Sequence, residues 1–167
     1  MKLWYSAVAL VAAIACNNEI TGLEPPSDPA TETFAPSLNV NISQMTKLPT
    51  GTYVHDLTVG TGAEVGRQTD TVWVSYEGFL KDGKLFNSGT NVKFVRATLV
   101  KGFQDGVVGM KVGGQRLIVI PSEQGYGHVR QPDPSTGKTL IPRQSTLVFK
   151  VTLLKLHTPS SSDGTSA

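Results

Sequence analysis

The residues of this chain that could do chemistry are rings and branched aliphatics punctuated by glycine. They run Val74-Ser75-Tyr76-Glu77-Gly78, Lys84-Leu85-Phe86-Asn87-Ser88, then Val100-Lys101-Gly102-Phe103-Gln104-Asp105-Gly106-Val107. Met110 to Arg116, Gly125-Tyr126-Gly127, Ile141-Pro142 and Thr146-Leu147-Val148-Phe149-Lys150-Val151 complete the series. Such a series predicts a cleft walled by rings, with almost nothing ionisable where a reaction would occur. A cleft of that kind suits binding, or a reaction that needs no proton donor, nucleophile or metal.

The usual catalysts are not gathered in the sequence. His55, His128 and His157 are dispersed, and Cys16 is the one cysteine, so no metal-ligand spacing is formed. There is no Gly-x-Ser-x-Gly elbow, although a Ser-His-Asp set assembled only by folding stays open at this level. Gly109 to Gly114 is glycine-rich but lacks the Gly-Lys-Ser/Thr ending of a phosphate loop and leads into a strand, so it reads as a turn. No cofactor is implied. The 15 Lys and Arg against 13 Asp and Glu are scattered, and the net charge of +2 gives no stripe for nucleic acid.

The elements that must position these rings are mostly strands. Thr52 to Thr58 is one candidate, stopped by Gly60-Thr61-Gly62. In Thr71 to Leu80, Val72, Val74 and Tyr76 share a face opposite Trp73, Ser75 and Glu77. Asp82-Gly83 predicts a tight turn into Lys84 to Phe86. Val92 to Val95 is a further short strand. Gln115 to Ile120 places Arg116, Ile118 and Ile120 on one side. Thr146 to Leu156 sends Leu147, Phe149, Val151 and Leu153 inward and Val148, Lys150 and Thr152 outward. The single helix expected, Val100 to Val108, puts Val100, Phe103 and Val107 on one face, and its glycines require packing on a sheet for stability. An α+β domain follows, an antiparallel sheet folded over one short helix.

From about Gly51 to Leu156 these motifs, taken in order, resemble the FKBP-type peptidyl-prolyl cis-trans isomerases. The resemblance implies a five- or six-stranded antiparallel sheet wrapped around a short helix, and an enzyme that rotates X-Pro bonds of folding polypeptides. Matched position by position, it implies a catalytic set of Tyr76, Phe86, Asn87, Phe103, Tyr126 and Phe149, with Leu99, Val100 and Ile141 binding substrate. Asn87 stands where many members have aspartate, Phe103 where tryptophan is frequent, and Val92 where phenylalanine is common. The Val92–Leu99 segment reads two residues short, and the His128–Leu140 loop reads long and overhanging the cleft. A proline-binding module or holdase with negligible turnover is the alternative, and a docking role for that loop is a third reading. A monomer is expected.

The termini lie outside this domain. Lys2 precedes an apolar run, Ala7 to Ile14, too short for a bilayer span, ending in Ala13-Ile14-Ala15-Cys16. Residues 1–15 therefore read as an export signal, and Cys16 resembles the lipidated cysteine of bacterial lipoproteins, an anchor to a membrane. By that resemblance, Asn17 points to the outer membrane, facing the periplasm. Residues 16–47, rich in Pro, Ser, Thr and Asn, read as a flexible tether reaching roughly 30 Å. Residues 48–157 are the isomerase-like domain and 158–167 a disordered tail.

Overall fold

The structure, a computed structural model, describes residues 24–159. The export signal, Cys16, and residues 160–167 of the tail lie outside the described residues. A six-stranded antiparallel sheet is ordered β1-β2-β5-β8-β3-β4, from β1 (Thr46–Lys47), β2 (Tyr53–Thr58), β3 (Thr71–Leu80), β4 (Leu85–Val95), β5 (Gln115–Ile120) and β8 (Leu147–His157). β6 (Gln131–Pro132) and β7 (Thr139–Ile141) form a separate small hairpin. The one α-helix among the described residues, α1 (Lys101–Gly106), packs on the inner face.

The β3–β4 hairpin closes as its turn residues dictate. Gly83 adopts φ 88°, a value that suits glycine, and the Asp82 carboxylate accepts the Lys84 N–H at 2.9 Å. β4 is one strand, not two short ones, and it carries two extra residues. Val74 pairs with Val92 but Tyr76 with Gly89, and Gly78 pairs with Asn87 but Phe79 with Leu85. Each mismatch is a bulge, which bends the strand and re-aims its side chains.

The helix can approach β5 because its glycines leave room. A Cβ at Gly102 would lie 2.3 Å from Ile120 Cγ2, and one at Gly106 would lie 2.6 Å from Ile118 Cγ2. These glycines therefore serve close packing rather than an unusual backbone. Val72, Val74, Ile118, Ile120, Leu147, Val151 and Leu153 fill the inner core with Val107 and Met110 of the helix end. Arg116, buried, ties three elements together. Its Nε and Nη2 donate to the Asp56 carboxylate at 2.6 and 3.0 Å, and its Nη1 donates to the carbonyls of Gly106 and Val108 at 2.9 and 2.7 Å. The Asp70 carboxylate is likewise enclosed. Desolvation opposes its ionisation, but donors from Gly66, Thr158 and Arg67, helped by the Arg96 charge, hold its pKa below 3.8.

The segment expected to be a tether is packed where it is described. Residues 24–47 cross the outer face of the sheet through three short 3-10 turns, Pro29–Thr31, Pro36–Leu38 and Ile42–Gln44, before joining it as β1. Leu38 is sealed at 1% exposure among Tyr53, Leu117, Val119 and Val148, with Phe34, Val40, Ile42 and Met45 around them. The Ala35 N–H donates to the Lys81 carbonyl at 2.8 Å. The strap explains why β5 is buried on both faces, and why Val148, placed outward by its alternation, is buried too. Its apolar residues sink into the sheet instead of water, which is the hydrophobic reason a free tether is not formed. The first two residues of the expected tail are also held: the Thr158 hydroxyl donates to Asp70, and the Pro159 carbonyl accepts from Arg67.

The candidate proline cleft

Between the helix and the bent β3–β4 hairpin lies a cleft of about 330 Å³. Its walls are Tyr76, Phe86, Asn87, Phe94, Thr98, Leu99, Val100, Phe103, Tyr126 and Phe149. The first turn of α1 points Phe103 into the floor. It meets Phe149 of β8 edge to face, with centroids 5.1 Å apart and planes at 87°. Phe86 meets Phe149 in the same way at 5.6 Å and 88°, and Tyr76 meets Phe103 at 6.5 Å and 81°. These are the arrangements that ring quadrupoles favour, so the four rings hold one another in place. The second β4 bulge lets consecutive residues, Phe86 and Asn87, both reach the cleft. Gly78 stands behind them, and a Cβ there would come within 2.8 Å of both the Phe86 and Phe149 rings.

Few polar groups face this space. The Tyr76 hydroxyl donates to Asn87 Oδ1 at 2.9 Å. Burial, with the nearby Tyr126 adding to it, pushes the Tyr76 phenol above its usual 10.0, so it remains a donor throughout the neutral range. The Val100 carbonyl accepts from Phe103 and Gln104, while its own N–H and the Tyr126 hydroxyl have no partner among the described residues. The cleft thus offers an apolar floor, two phenols, one amide and a free N–H at the start of α1. Among the described residues it has no carboxylate, imidazole or ammonium on its walls.

Of the nine residues named from the sequence as a site, eight line this cleft. Ile141 does not: β7 holds it in the inner core, 3% exposed, paired with Gln131. The 128–140 loop, expected to overhang, contributes no wall residue; most of it is the β6–β7 hairpin. Two wall residues, Phe94 and Thr98, were missed. Phe94 supplies the ring that Val92 does not, with its centroid 5.8 Å from that of Tyr76. The signal was available as alternation, since Phe94 follows Val92 by two, but the bulge beside Asn91 (φ 54°) broke the period. A larger hollow, about 640 Å³, lies on the outer sheet among Leu57, Ser75, Glu77, Gln115 and Thr152. Its polar, open walls would leave a bound imide hydrated, so the smaller aromatic cleft is the candidate site.

Comparison with known proteins agrees with the fold of a six-stranded antiparallel sheet and one short helix. The chain is 38% identical over 115 residues to "FK506-binding protein 4" of Gibberella zeae, an alignment covering 66% of this chain and 22% of that protein. It spans less than a third of the length of the curated relatives it matches. Its structure is similar to a peptidyl-prolyl cis-trans isomerase from Pseudomonas syringae pv. tomato, with TM-score 0.62 and 30% identity over 69% of this chain and 82% of that one. It is also similar to FkpA from Escherichia coli, with TM-score 0.58 and 34% identity over 68% of this chain and 51% of that one. Residues 62–154 match the sequence profile described as FKBP-type peptidyl-prolyl cis-trans isomerase, and the chain belongs to that family.

Proposed function

We propose that this protein accelerates cis-trans rotation about X-Pro bonds of exported polypeptides, by holding the imide in its dry aromatic cleft. The observation that carries this reading is the mutual edge-to-face cage of Tyr76, Phe86, Phe103 and Phe149. Uncatalysed rotation is slow because resonance makes the C–N bond partly double, with a barrier of about 20 kcal/mol. As the bond twists, nitrogen and carbonyl decouple and the amide loses charge separation. The perpendicular form is then less polar than the planar one, so water stabilises it less and an apolar cleft favours it relatively. No bond to hydrogen changes, and no acid or base is needed.

Each wall has a role in this reading. Phe103 is the platform under the pyrrolidine ring, with Phe86, Phe149 and Tyr76 as sides and Leu99 against the neighbouring residue. The Val100 N–H and the Tyr126 hydroxyl grip substrate carbonyls, which keeps the peptide seated while one bond turns. Asn87, whose Oδ1 is engaged by Tyr76, leaves its amide N–H groups to the substrate. Tyr126→Phe keeps the ring and deletes one donor. It is expected to lower kcat/KM on a proline tetrapeptide about three- to tenfold, the worth of a neutral hydrogen bond, with an unchanged urea midpoint. Unaltered turnover in the folded variant removes Tyr126 from the mechanism.

The protein is also proposed to work at a membrane surface of the cell envelope, held by acyl chains on Cys16. The support is the short apolar run of residues 7–14 before a small residue and the lone cysteine. Cys16→Ser is expected to move the protein from the membrane to the soluble fraction of expressing cells; retention in the membrane fraction contradicts the anchor.

A further inference from the structure

Tyr126 sits in a loop whose own bonds are short-range backbone ones, and the strap ties that loop to the rest of the fold. Ser27 and Ser122 exchange hydrogen bonds: the Ser27 N–H donates to Ser122 Oγ at 2.9 Å, and the Ser122 N–H donates to Ser27 Oγ at 2.7 Å. Ser122 is fully buried. Its carbonyl accepts the N–H groups of Gly125 and Gly127 at 3.0 and 2.8 Å, the two residues that flank Tyr126. From there the chain of bonds returns to the strap. The Gly127 carbonyl accepts the Gln144 N–H at 2.8 Å, and Gln144 Nε2 donates to the Glu24 carbonyl at 3.0 Å. Gln144 is itself buried and holds φ 53°, a left-handed backbone that glutamine adopts only under constraint.

We propose that residues 24–27 are a clamp that positions the substrate-gripping tyrosine, with Ser27 and Glu24 as positioning residues that act through the Ser122–His128 loop and never enter the cleft. Pro25 and Pro26 suit the role, since a two-proline step has restricted φ and arrives pre-extended. Losing the Ser27 hydroxyl leaves a buried N–H on Ser122 without an acceptor, and the loop must shift to recover one. A shift of about an ångström at Tyr126 is enough to spoil the grip on a carbonyl. The proposal rests on the reading of Tyr126 as a carbonyl donor.

The test is a cycle in the full chain. Ser27→Ala is expected to lower kcat/KM on a proline tetrapeptide about fivefold, and Ser27→Thr, which keeps a hydroxyl, to retain it. In a Tyr126→Phe background Ser27→Ala is expected to do nothing more, because its route to substrate is already cut. Amide hydrogen exchange at Gly125 and Gly127 should quicken in Ser27→Ala while β8 stays protected. With an active wild type, unchanged turnover in Ser27→Ala or an equal loss with and without the Tyr126 hydroxyl overturns the clamp, and so does unchanged exchange in any case. Wild-type turnover at background with the loop still released by Ser27→Ala overturns the isomerase reading and leaves the clamp standing.

Discussion

Phe103→Ala is expected to lower kcat/KM for proline-peptide isomerisation about a hundredfold per folded molecule, and to destabilise the domain by about 3–5 kcal/mol. Both effects come from one ring. It is 4% exposed, so nearly all of it is in contact with protein, and it joins the inner core to the cleft floor. Its removal takes away the platform and lets Phe149, 5.1 Å away, and Tyr76, 6.5 Å away, relax into the gap. Water then enters the space in which, on the proposed mechanism, a twisted imide is favoured. Urea unfolding of the same sample separates the two effects, and Phe103→Leu, which refills much of the volume without a flat face, should recover most of the stability but little of the rate. A folded Phe103→Ala protein with the parent rate would remove the aromatic floor from the mechanism.

Arg116→Met is expected to be among the most destabilising changes away from the cleft, at about 2–4 kcal/mol by urea midpoint with an unchanged m-value. Methionine can fill the channel but cannot donate. The buried Gly106 carbonyl and the half-buried one of Val108 then lose their partner just where α1 ends. The lost attraction to Asp56 contributes less, since that carboxylate is 41% exposed and can turn to water. Asp56→Asn, which leaves both helix-end carbonyls bound, should accordingly cost only about 1 kcal/mol or less. Equal losses for the two variants would show that the ion pair, not the helix-end carbonyls, is what Arg116 supplies. Activity is expected to fall with Arg116→Met as well, because α1 carries both Phe103 and the N–H of Val100 at its start.

What was legible in the sequence follows the regularity of the elements. β3 could be read at its full length because Val72 and Val74 alternate with Trp73 and Ser75 without interruption. In sequence β4 reads as two fragments because its bulges shift the period at Asn91 and Phe86, and the same shift hides Phe94. The cleft residues were legible only in their joint order, since Phe103 or Phe149 alone is indistinguishable from core. Ile141 shows the limit of position matching: a three-residue strand in a longer loop turned it into the core. The strap was invisible because Phe34, Leu38, Val40, Ile42 and Met45 fit no single period, as expected for 3-10 turns joined by extended links. Its imprint was on its partner. Leu117-Ile118-Val119-Ile120 is apolar on both faces, the mark of a strand covered on both sides, and one helix could cover only one of them.

The most direct test of the central claim is the relaxation rate of a cis-enriched X-Pro tetrapeptide, followed without a coupling protease, against protein concentration from pH 6 to 9. Desolvation by an aromatic cage, with a Tyr76 phenol whose raised pKa keeps it protonated over this range, predicts acceleration that is linear in protein and flat with pH. A rate indistinguishable from the uncatalysed one while the peptide is bound, or a bell-shaped pH profile reporting an acid and a base, contradicts it.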